Sequence, residues 1–391
     1  MRRPQRALLF YYAPLGSELR RRTDLMAQAL VKQGYEVEHV CVLEPPATEP
    51  KPLGRFTTVG IPGRLRGGVV FWGWFLFRAP LQVLLSSATR RPRAIIVFSP
   101  AFAVLALPAA LCSWTRCMLF LDRAPWRTPR RLHRSLAARI VAGLVDFLGV
   151  LVARRSVPSS AALARELTQK VPLAARRVHP LAFASGALKE KSENAPQRRF
   201  FKTAEVSAKR ALARRYELPE RSFFIAATGD FYHHRDLEYV IRAVAAAEPE
   251  VISVLLLGEG PAKRSLEAIA VSLGVYSRTA FLGVPPADHS LISGCDLFVL
   301  PSGYQGVPPW MVQFLALGTP MIGARSPETE ELLRFDELLF EPWDVEALAS
   351  RLRLLSDKPR ALQQVRDLSA ERAHHFAFDW SESVARLLER R

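Results

Sequence analysis

The chain has 391 residues, of which 49% are hydrophobic, so it is long enough for two ordinary domains and is neither disordered nor fibrous. Its formal net charge is +17, but residues 1–185 hold 28 Lys and Arg against 9 Asp and Glu, whereas residues 186–391 hold 26 against 28. A half this basic attracts phosphates, whether on nucleic acid, on lipid head groups or on a pyrophosphate-linked acceptor.

The first residues predict a β-α-β unit. Residues 7–12 and 37–43 have the composition of buried strands, and residues 19–33 have an apolar face of helical period that ends at Gly34. Gly16 and Ser17 lie in the loop between the first strand and the helix, where a glycine lets a ligand approach the backbone closely. The four cysteines include no CxxC pair, which is typical of reduced thiols in the cytosol, and the eight histidines are expected to be solvated.

Residues 69–85 are the most apolar stretch of the chain, interrupted by Arg78 and Pro80. The stretch is shorter than the ~20 residues that a membrane-spanning helix needs. It therefore predicts either a buried helix or a helix lying in a membrane interface, with Trp72, Trp74 and Phe77 at head-group depth. Both hold if one face is core and the other faces lipid or water.

Residues 94–98 and 118–121 predict two more buried strands, and Asp122, Arg123 and Trp126 follow the second of them. The carboxyl ends of parallel strands line the ligand crevice of an open α/β sheet. These three side chains are therefore candidates for contact with an acceptor substrate, and a structural ion pair of Asp122 and Arg123 is the alternative.

The second half alternates strands and helices more clearly. Strands are expected at residues 223–227, 251–257, 279–284 and 297–300, and loops rich in glycine and proline follow most of them. Residues 310–317 predict a helix that begins after Pro309 and ends at Gly318. Between the two halves, residues 186–215 are polar, charged and weakly patterned, which predicts a linker.

The stretch from Pro301 to Pro320, PSGYQGVPPWMVQFLALGTP, resembles the donor-site signature of family-4-type retaining glycosyltransferases. Pro301-Ser302, the seven-residue spacing from Gln305 to Gln313 and the closing Gly-Thr-Pro fit that signature, although the family has glutamate at both glutamine positions. Other turns that resemble the family cover nearly the whole chain. The resemblance implies an α/β protein of GT-B fold, in which two Rossmann-like domains face each other across a cleft and the C-terminal helix crosses back to the first domain.

The expected boundaries are a basic, acceptor-side domain at 1–185, the linker at 186–215, a nucleotide-sugar-binding domain at 216–370 and the returning helix at 371–391. The resemblance implies catalytic roles for Arg235 and Gln305. It also implies a set of donor-binding residues: Gly16, Ser17, Gly229, Asp230, Gly260, Pro261, Val284, Gly306, Pro308 and Gln313. Asp122, Arg123 and Trp126 take the acceptor side. No metal is expected, and the nucleotide diphosphate sugar is a co-substrate.

The sequence thus predicts a cytoplasmic glycosyltransferase, peripheral on the inner face of the membrane, that uses a nucleotide sugar and a lipid-linked or phosphate-bearing acceptor in cell-surface glycan synthesis. Six departures keep an alternative open. The family has arginine at Asp230, lysine at Arg235, glutamate at Gln305 and Gln313, and glycine and an apolar residue at Pro308 and Pro309. A prolyl nitrogen cannot donate a hydrogen bond, and Asp230 would repel a diphosphate. The alternative is a catalytically degenerate GT-B protein that serves as a binding or scaffold subunit. Nucleic-acid binding has the charge but no recognised module.

Overall fold

The computed structural model describes residues 5–12, 18–41, 53–58, 69–127, 135–184, 201–228, 235–247, 252–258, 260–282, 294–301 and 309–389. Its contacts divide the chain into two compact units. The first unit comprises Met1–Phe183 together with Asp379–Arg391, and the second unit comprises Ala184–Phe378.

The first unit contains a sheet of six strands in the order β3-β2-β1-β4-β5-β6, with every neighbouring pair parallel. Helices cover such a sheet on both faces, so its strands must be apolar along their length, and Leu8, Leu9 and Phe10 are accordingly buried. The strands are β1 (Gln5–Phe10), β2 (Tyr35–Cys41), β3 (Arg55–Thr58), β4 (Ala94–Val97), β5 (Arg116–Leu121) and β6 (Arg155–Pro158).

Among the described residues, four helices lie between these strands and a fifth follows β6: α1 (Glu18–Lys32), α2 (Val69–Arg90), α3 (Pro100–Ser113), α4 (Leu136–Val152) and, after β6, α5 (Ala161–Lys170). Short 3-10 helices lie at Pro125–Arg127 and Pro172–Arg177. Local signals set several of the helix ends. The Ser160 hydroxyl accepts the Leu163 N–H and caps the start of α5, while Gly34, at φ +78°, takes the left-handed conformation just past the end of α1.

Helix α2 has both a buried face and an exposed face, as the two interpretations of residues 69–85 allowed. A stripe at every fourth residue is buried in the core: Phe71, Phe75, Ala79 and Val83. Trp74 also packs against this core while it stays partly exposed, and Phe77 is 75% exposed. Their expected place at head-group depth stays a prediction. The side chain of Trp72 lies outside the described residues. Within the part of the chain that the structure describes, no helix is long and apolar enough to cross a membrane.

The second unit repeats the plan with six strands in the order β12-β11-β10-β7-β8-β9, again all parallel. The strands are β7 (Phe223–Thr228), β8 (Ile252–Leu257), β9 (Thr279–Leu282), β10 (Leu297–Leu300), β11 (Met321–Ala324) and β12 (Leu339–Phe340). The helices are α6 (Phe201–Arg215), α7 (Arg235–Ala246), α8 (Lys263–Ser272), α9 (Pro309–Ala316), α10 (Pro327–Leu333), α11 (Val345–Asp357) and α12 (Pro359–His375), with 3-10 turns at Tyr276–Arg278 and Asp336–Leu338.

The linker predicted at residues 186–215 is wrong for its last part, because Phe201–Arg215 forms helix α6. Leu212 and Ala213 are buried, and the Lys209 ammonium lies 2.5 Å from the Asp296 carboxylate. Few apolar residues mark this helix in the sequence, so contacts with residues some eighty positions away hold it in place.

The last helix, α13 (Trp380–Glu389), belongs to the first unit and packs on α1. Trp380 is buried beside Phe183, with ring centroids 5.6 Å apart, and the Lys32 ammonium lies 3.4 Å from the Asp379 carboxylate. The predicted fold class is therefore confirmed: two Rossmann-like units of α/β type, with a C-terminal helix that returns to the first.

Candidate functional site

The topology of the second unit marks where a ligand would bind. From β7 the chain moves outward through β8 to β9, and then returns to the other side of β7 at β10. In open parallel sheets, ligands bind at the carboxyl ends of the strands on either side of such a switch point. Here those ends are Thr228, the last residue of β7, and Leu300, the last residue of β10.

Four of the ten predicted donor residues, and the predicted catalytic Gln305, follow those two strand ends in the chain. Gly229 and Asp230 come directly after β7, and Gln305, Gly306 and Pro308 come after β10. These five residues, together with Gly16, Ser17 and Val284, lie outside the described residues. Their assignment to the donor site stays a prediction, and what favours it is their place in the chain after the switch-point strands.

The turn after β8 is described. Gly258 and Gly260 both have a φ of +156°, a conformation that residues with a β-carbon rarely adopt, and Pro261 follows, exposed, just before α8. The Gly258 N–H donates to the Leu282 carbonyl at the end of β9, which fixes the turn against the neighbouring strand. Exposed backbone therefore lies at the carboxyl edge of the sheet, where a flat ligand could approach it.

Gln313 lies on α9, which packs on β10 through Phe314 and Phe298, whose ring centroids are 5.2 Å apart. Its side chain is largely buried. An amide in such surroundings can both donate and accept hydrogen bonds, as a ribose hydroxyl pair requires. Gln313 thus lies on the helix that follows the loop after β10 in the chain.

Arg235 is the first residue of α7 and is exposed. Its guanidinium carbon lies 5.6 Å from the centroid of the Trp343 ring, a cation–π contact that orients the side chain without cancelling its charge. A cation at a helix N-terminus opposes the helix dipole, so stability of α7 does not explain this residue. The position suits a group that meets an anion at the edge of the sheet.

Trp343 is a residue that sequence reasoning missed. It is half exposed and has a φ of +69°, a strained conformation for a residue with a large side chain. The Tyr239 hydroxyl donates to the carbonyl of the next residue, Asp344, at 2.7 Å, and Asp344 in turn caps α11. These contacts hold the Trp343 turn in place. A tryptophan within a Glu-Pro-x-Asp turn was the signal in the sequence.

In the first unit, Asp122 forms ion pairs with Arg22 and Arg123. Burial alone would raise the pKa of the Asp122 carboxyl, but the two guanidinium groups outweigh burial and hold that pKa below its usual value. Asp122 and Arg22 are both buried, whereas about a third of the Arg123 side chain is exposed. The structural ion pair that was the alternative for Asp122 and Arg123 therefore forms. Arg123 is the residue of this cluster that a ligand can reach.

Trp126 lies on the 3-10 helix that follows. Its indole N–H donates to a Glu166 carboxylate oxygen at 2.5 Å, and Arg127 pairs with the same carboxylate at 2.8 Å. The Lys170 ammonium lies 5.2 Å from the Trp126 ring centroid. Glu166 and Arg22, which the sequence did not single out, thus fix the residues that were predicted for the acceptor side.

Tyr11 and His39 lie near the carboxyl ends of β1 and β2. The Tyr11 hydroxyl lies 3.0 Å from His39 Nδ1, and His39 Nε2 lies 2.9 Å from the Leu53 carbonyl oxygen. Because a carbonyl only accepts, Nε2 carries the proton and Nδ1 accepts from Tyr11. Burial lowers the pKa of His39 to about 4, so the ring is neutral at pH 7. The expectation that the histidines are solvated is wrong here. Elsewhere, the described residues contain no group of three or more potential metal ligands.

Residues 208–372 match the family described as "Glycosyl transferases group 1". A lipopolysaccharide core biosynthesis glycosyltransferase, LpsD of Rhizobium meliloti (strain 1021), is 28% identical over 145 residues, which cover 37% of this chain and 42% of that protein. The chain thus matches less than half the length of this relative.

Solved structures match over the whole length. Sucrose-phosphate synthase of Thermosynechococcus elongatus has a TM-score of 0.75 at 15% identity and 98% coverage of both chains. HepE of Anabaena, solved with UDP and glucose, has a TM-score of 0.75 at 14% identity, with coverage of 98% of this chain and 99% of that one. At such identities the likeness establishes the fold alone. Residues 208–372 are therefore a glycosyltransferase group 1 domain, in a chain whose two Rossmann-like units have the GT-B fold.

Proposed function

We propose that this protein transfers a sugar, with retention of configuration, from a nucleotide diphosphate sugar to a lipid-linked or phosphate-bearing acceptor in cell-surface glycan synthesis. The observation that carries the proposal is the carboxyl edge of the second sheet. There the glycosyltransferase group 1 domain has its switch point, and an exposed cation, Arg235, starts the helix that follows β7. We assign the protein to the family-4 type because of its signature at residues 301–320.

The reaction breaks the bond between the anomeric carbon of the sugar and a diphosphate oxygen, and forms a bond from that carbon to an acceptor oxygen. Negative charge grows on the departing diphosphate, so a preorganised cation lowers the barrier. Arg235 is the described cation in position for this role, with Trp343 orienting it. Gln305 would bind sugar hydroxyls, Gln313 the ribose, and the backbone around Gly260 the base. HepE, of the same fold, has been solved with UDP-glucose, which supports a donor of this class.

The acceptor would meet the edge of the first sheet. Two arginines share one carboxylate at Asp122. Arg127 pairs with Glu166, and the Lys170 ammonium lies over the neighbouring Trp126 ring, so each cluster keeps a positive charge. That balance favours an acceptor that bears phosphate. LpsD, named as a lipopolysaccharide core enzyme, makes a lipid-linked acceptor at the cytoplasmic face of the membrane a reasonable choice.

The first test is calorimetry and sugar transfer with a panel of nucleotide diphosphate sugars. We expect wild-type protein to bind at least one, and Arg235→Ala to lower transfer by about a hundredfold or more, as removal of a preorganised charge-stabilising group does. Arg242→Ala is the matched control, since it removes an exposed arginine from the same helix that is paired with Glu238. A protein that binds no member of the panel would refute the proposal.

The residues at Asp230, Gln305 and Pro308 favour a second candidate, a binding or scaffold subunit without turnover. Combining Asp230→Arg, Gln305→Glu and Pro308→Gly separates the two. If the site is a slow enzyme, this triple variant transfers faster than wild type. If wild type binds nucleotide and neither protein transfers sugar to any acceptor offered, the scaffold function holds instead.

A further inference from the structure

Helix α4 is buried over only half of its length. Its C-terminal half is anchored, because Asp146, Gly149 and Val150 are buried. Gly149 lies so close to the backbone of Pro100 that a β-carbon would not fit there. Pro100 lies three residues after the last residue of β4, so this anchor point is near the carboxyl edge of the first sheet.

The N-terminal half of the helix is open to solvent and almost entirely apolar. Residues 136–145 read LAARIVAGLV, with Arg139 as the one polar side chain. Large aliphatic side chains at a spacing of about four residues share one exposed face, which we call the apolar ridge: Leu136, Ile140, Val141, Leu144 and Leu148. A contiguous apolar patch of this kind on a folded protein marks an interaction surface.

The charge around the ridge indicates what covers it. From residue 51 to residue 165 the chain has 18 Lys and Arg against two acidic residues, Asp122 and Asp146, and both of these are buried. No carboxylate of this long stretch is therefore exposed. Arg127, Arg130, Arg131 and Arg134 are all within the nine residues that precede the helix in the chain. Basic residues beside an exposed apolar face are typical of helices that lie in the interface of an anionic bilayer.

We propose that the apolar ridge inserts into the interface of an anionic membrane, while the arginines near it pair with lipid phosphates. A helix of 17 residues is too short to span the bilayer and instead lies in its surface. A second copy of this chain would bring an equally basic surface against the first, and repulsion between like charges disfavours that occupant. The proposal concerns α4 and not the α2 residues that the sequence suggested.

The consequence for the acceptor is geometric. Helix α4 contacts the 3-10 helix Pro125–Arg127, which carries Trp126. A membrane that holds the apolar ridge therefore lies next to the acceptor-side residues of the first unit. Membrane docking does not depend on sugar transfer, so each of the two can fail without the other.

The test uses the full chain in vesicle flotation, with vesicles of phosphatidylcholine containing about a third phosphatidylglycerol, since an electrostatic contribution needs anionic lipid. Val141→Glu should weaken vesicle binding about tenfold or more, because a charge then replaces an inserted apolar side chain. Val271→Glu is the matched control and should bind like wild type. Val271 is 62% exposed and Val141 61%, and both are helical valines, but Val271 is in the neutral half of the chain.

Wild-type binding should also fall severalfold when salt rises from about 0.05 M to 0.5 M or when the anionic lipid is left out. Thermal melts will show that Val141→Glu is folded, as expected for an exposed position. Equal binding by wild type and an Ile140→Glu, Leu144→Glu double variant would overturn the proposal. So would a wild-type dimer that Val141→Glu converts to a monomer with unchanged vesicle binding, because the ridge would then join two copies. Phe77→Glu will report whether α2 extends the docking surface.

Discussion

The two sheets have the same parallel topology and the same kind of switch point, but they treat charge at their carboxyl edges differently. In the first unit, Arg22 and Arg123 share the buried Asp122, and His39 is hydrogen-bonded through both ring nitrogens. In the second unit, Arg235 lies against the ring of Trp343. A carboxylate partner cancels the charge of an arginine, whereas a ring only orients it. The first edge therefore places most of its charge in ion pairs that stabilise the fold and keeps one net positive charge, whereas the second holds Arg235 against a ring that leaves its charge available to an anion.

The largest expected effect comes from removing the shared carboxylate of the first unit. Asp122→Asn would remove the carboxylate charge that two guanidinium groups share, one of them buried. Breaking a buried pair in this way costs about 3–5 kcal/mol of stability. Urea denaturation followed by circular dichroism measures the loss.

The control is Asp336→Asn, because Asp336 is exposed and pairs with Arg325 on the surface. Such pairs contribute about 1 kcal/mol or less. Similar stability of the two variants would show that Asp122 stabilises the first unit no more than a surface ion pair does.

A pH titration sharpens the same comparison. Burial lowers the pKa of His39 from 6.5 to about 4, so between these values the unfolded chain binds a proton that the folded chain does not. Stability therefore falls as the pH drops from about 7 to 4, and the contribution of this residue is on the order of 3 kcal/mol. Denaturation curves of wild type and His39→Gln, measured between about pH 7 and pH 4, isolate the contribution of His39 to stability.

His39→Gln will lower stability at pH 7 through lost stacking on Phe56, but its pH slope should be shallower than that of wild type. His374→Gln, at an exposed histidine, is the comparison variant. If His39→Gln retains the full slope, the ring is not held neutral in the folded protein.

The smallest effect concerns the ring that orients Arg235. If the proposed function holds, Trp343→Leu should lower kcat/KM about threefold to tenfold, since a partly exposed cation–π contact contributes about 1 kcal/mol. Trp343→Phe should recover much of the loss. Tyr276→Leu removes an aromatic of similar exposure from the same unit and should leave transfer unchanged. Equal losses in both leucine variants would show that Trp343 has no specific role.

Local sequence signals predicted most of the fold because the strands are short apolar runs and the helices end at residues such as Gly34 and Gly318. What could not be predicted depends on contacts between distant residues. Helix α6 carries few apolar residues and is fixed by Asp296, about ninety positions away. Asp122 is a hundred residues from Arg22, and Trp343 is 108 from Arg235. Spacing along the chain does not reveal such pairs, so the sequence could point to strand ends but not to all the partners there.

The return of α13 to the first unit has a consequence for the order of events during synthesis. Residues 1–183 leave the ribosome first, yet the surface of α1 that buries Trp380 is completed only when residues 379–391 have been made. At about 5–20 residues per second, the nearly two hundred intervening residues take on the order of ten to forty seconds. The second unit is continuous in the chain and can finish folding within that interval. The unit synthesised first is thus the last to be completed, and until then it exposes an apolar groove that chaperones can recognise.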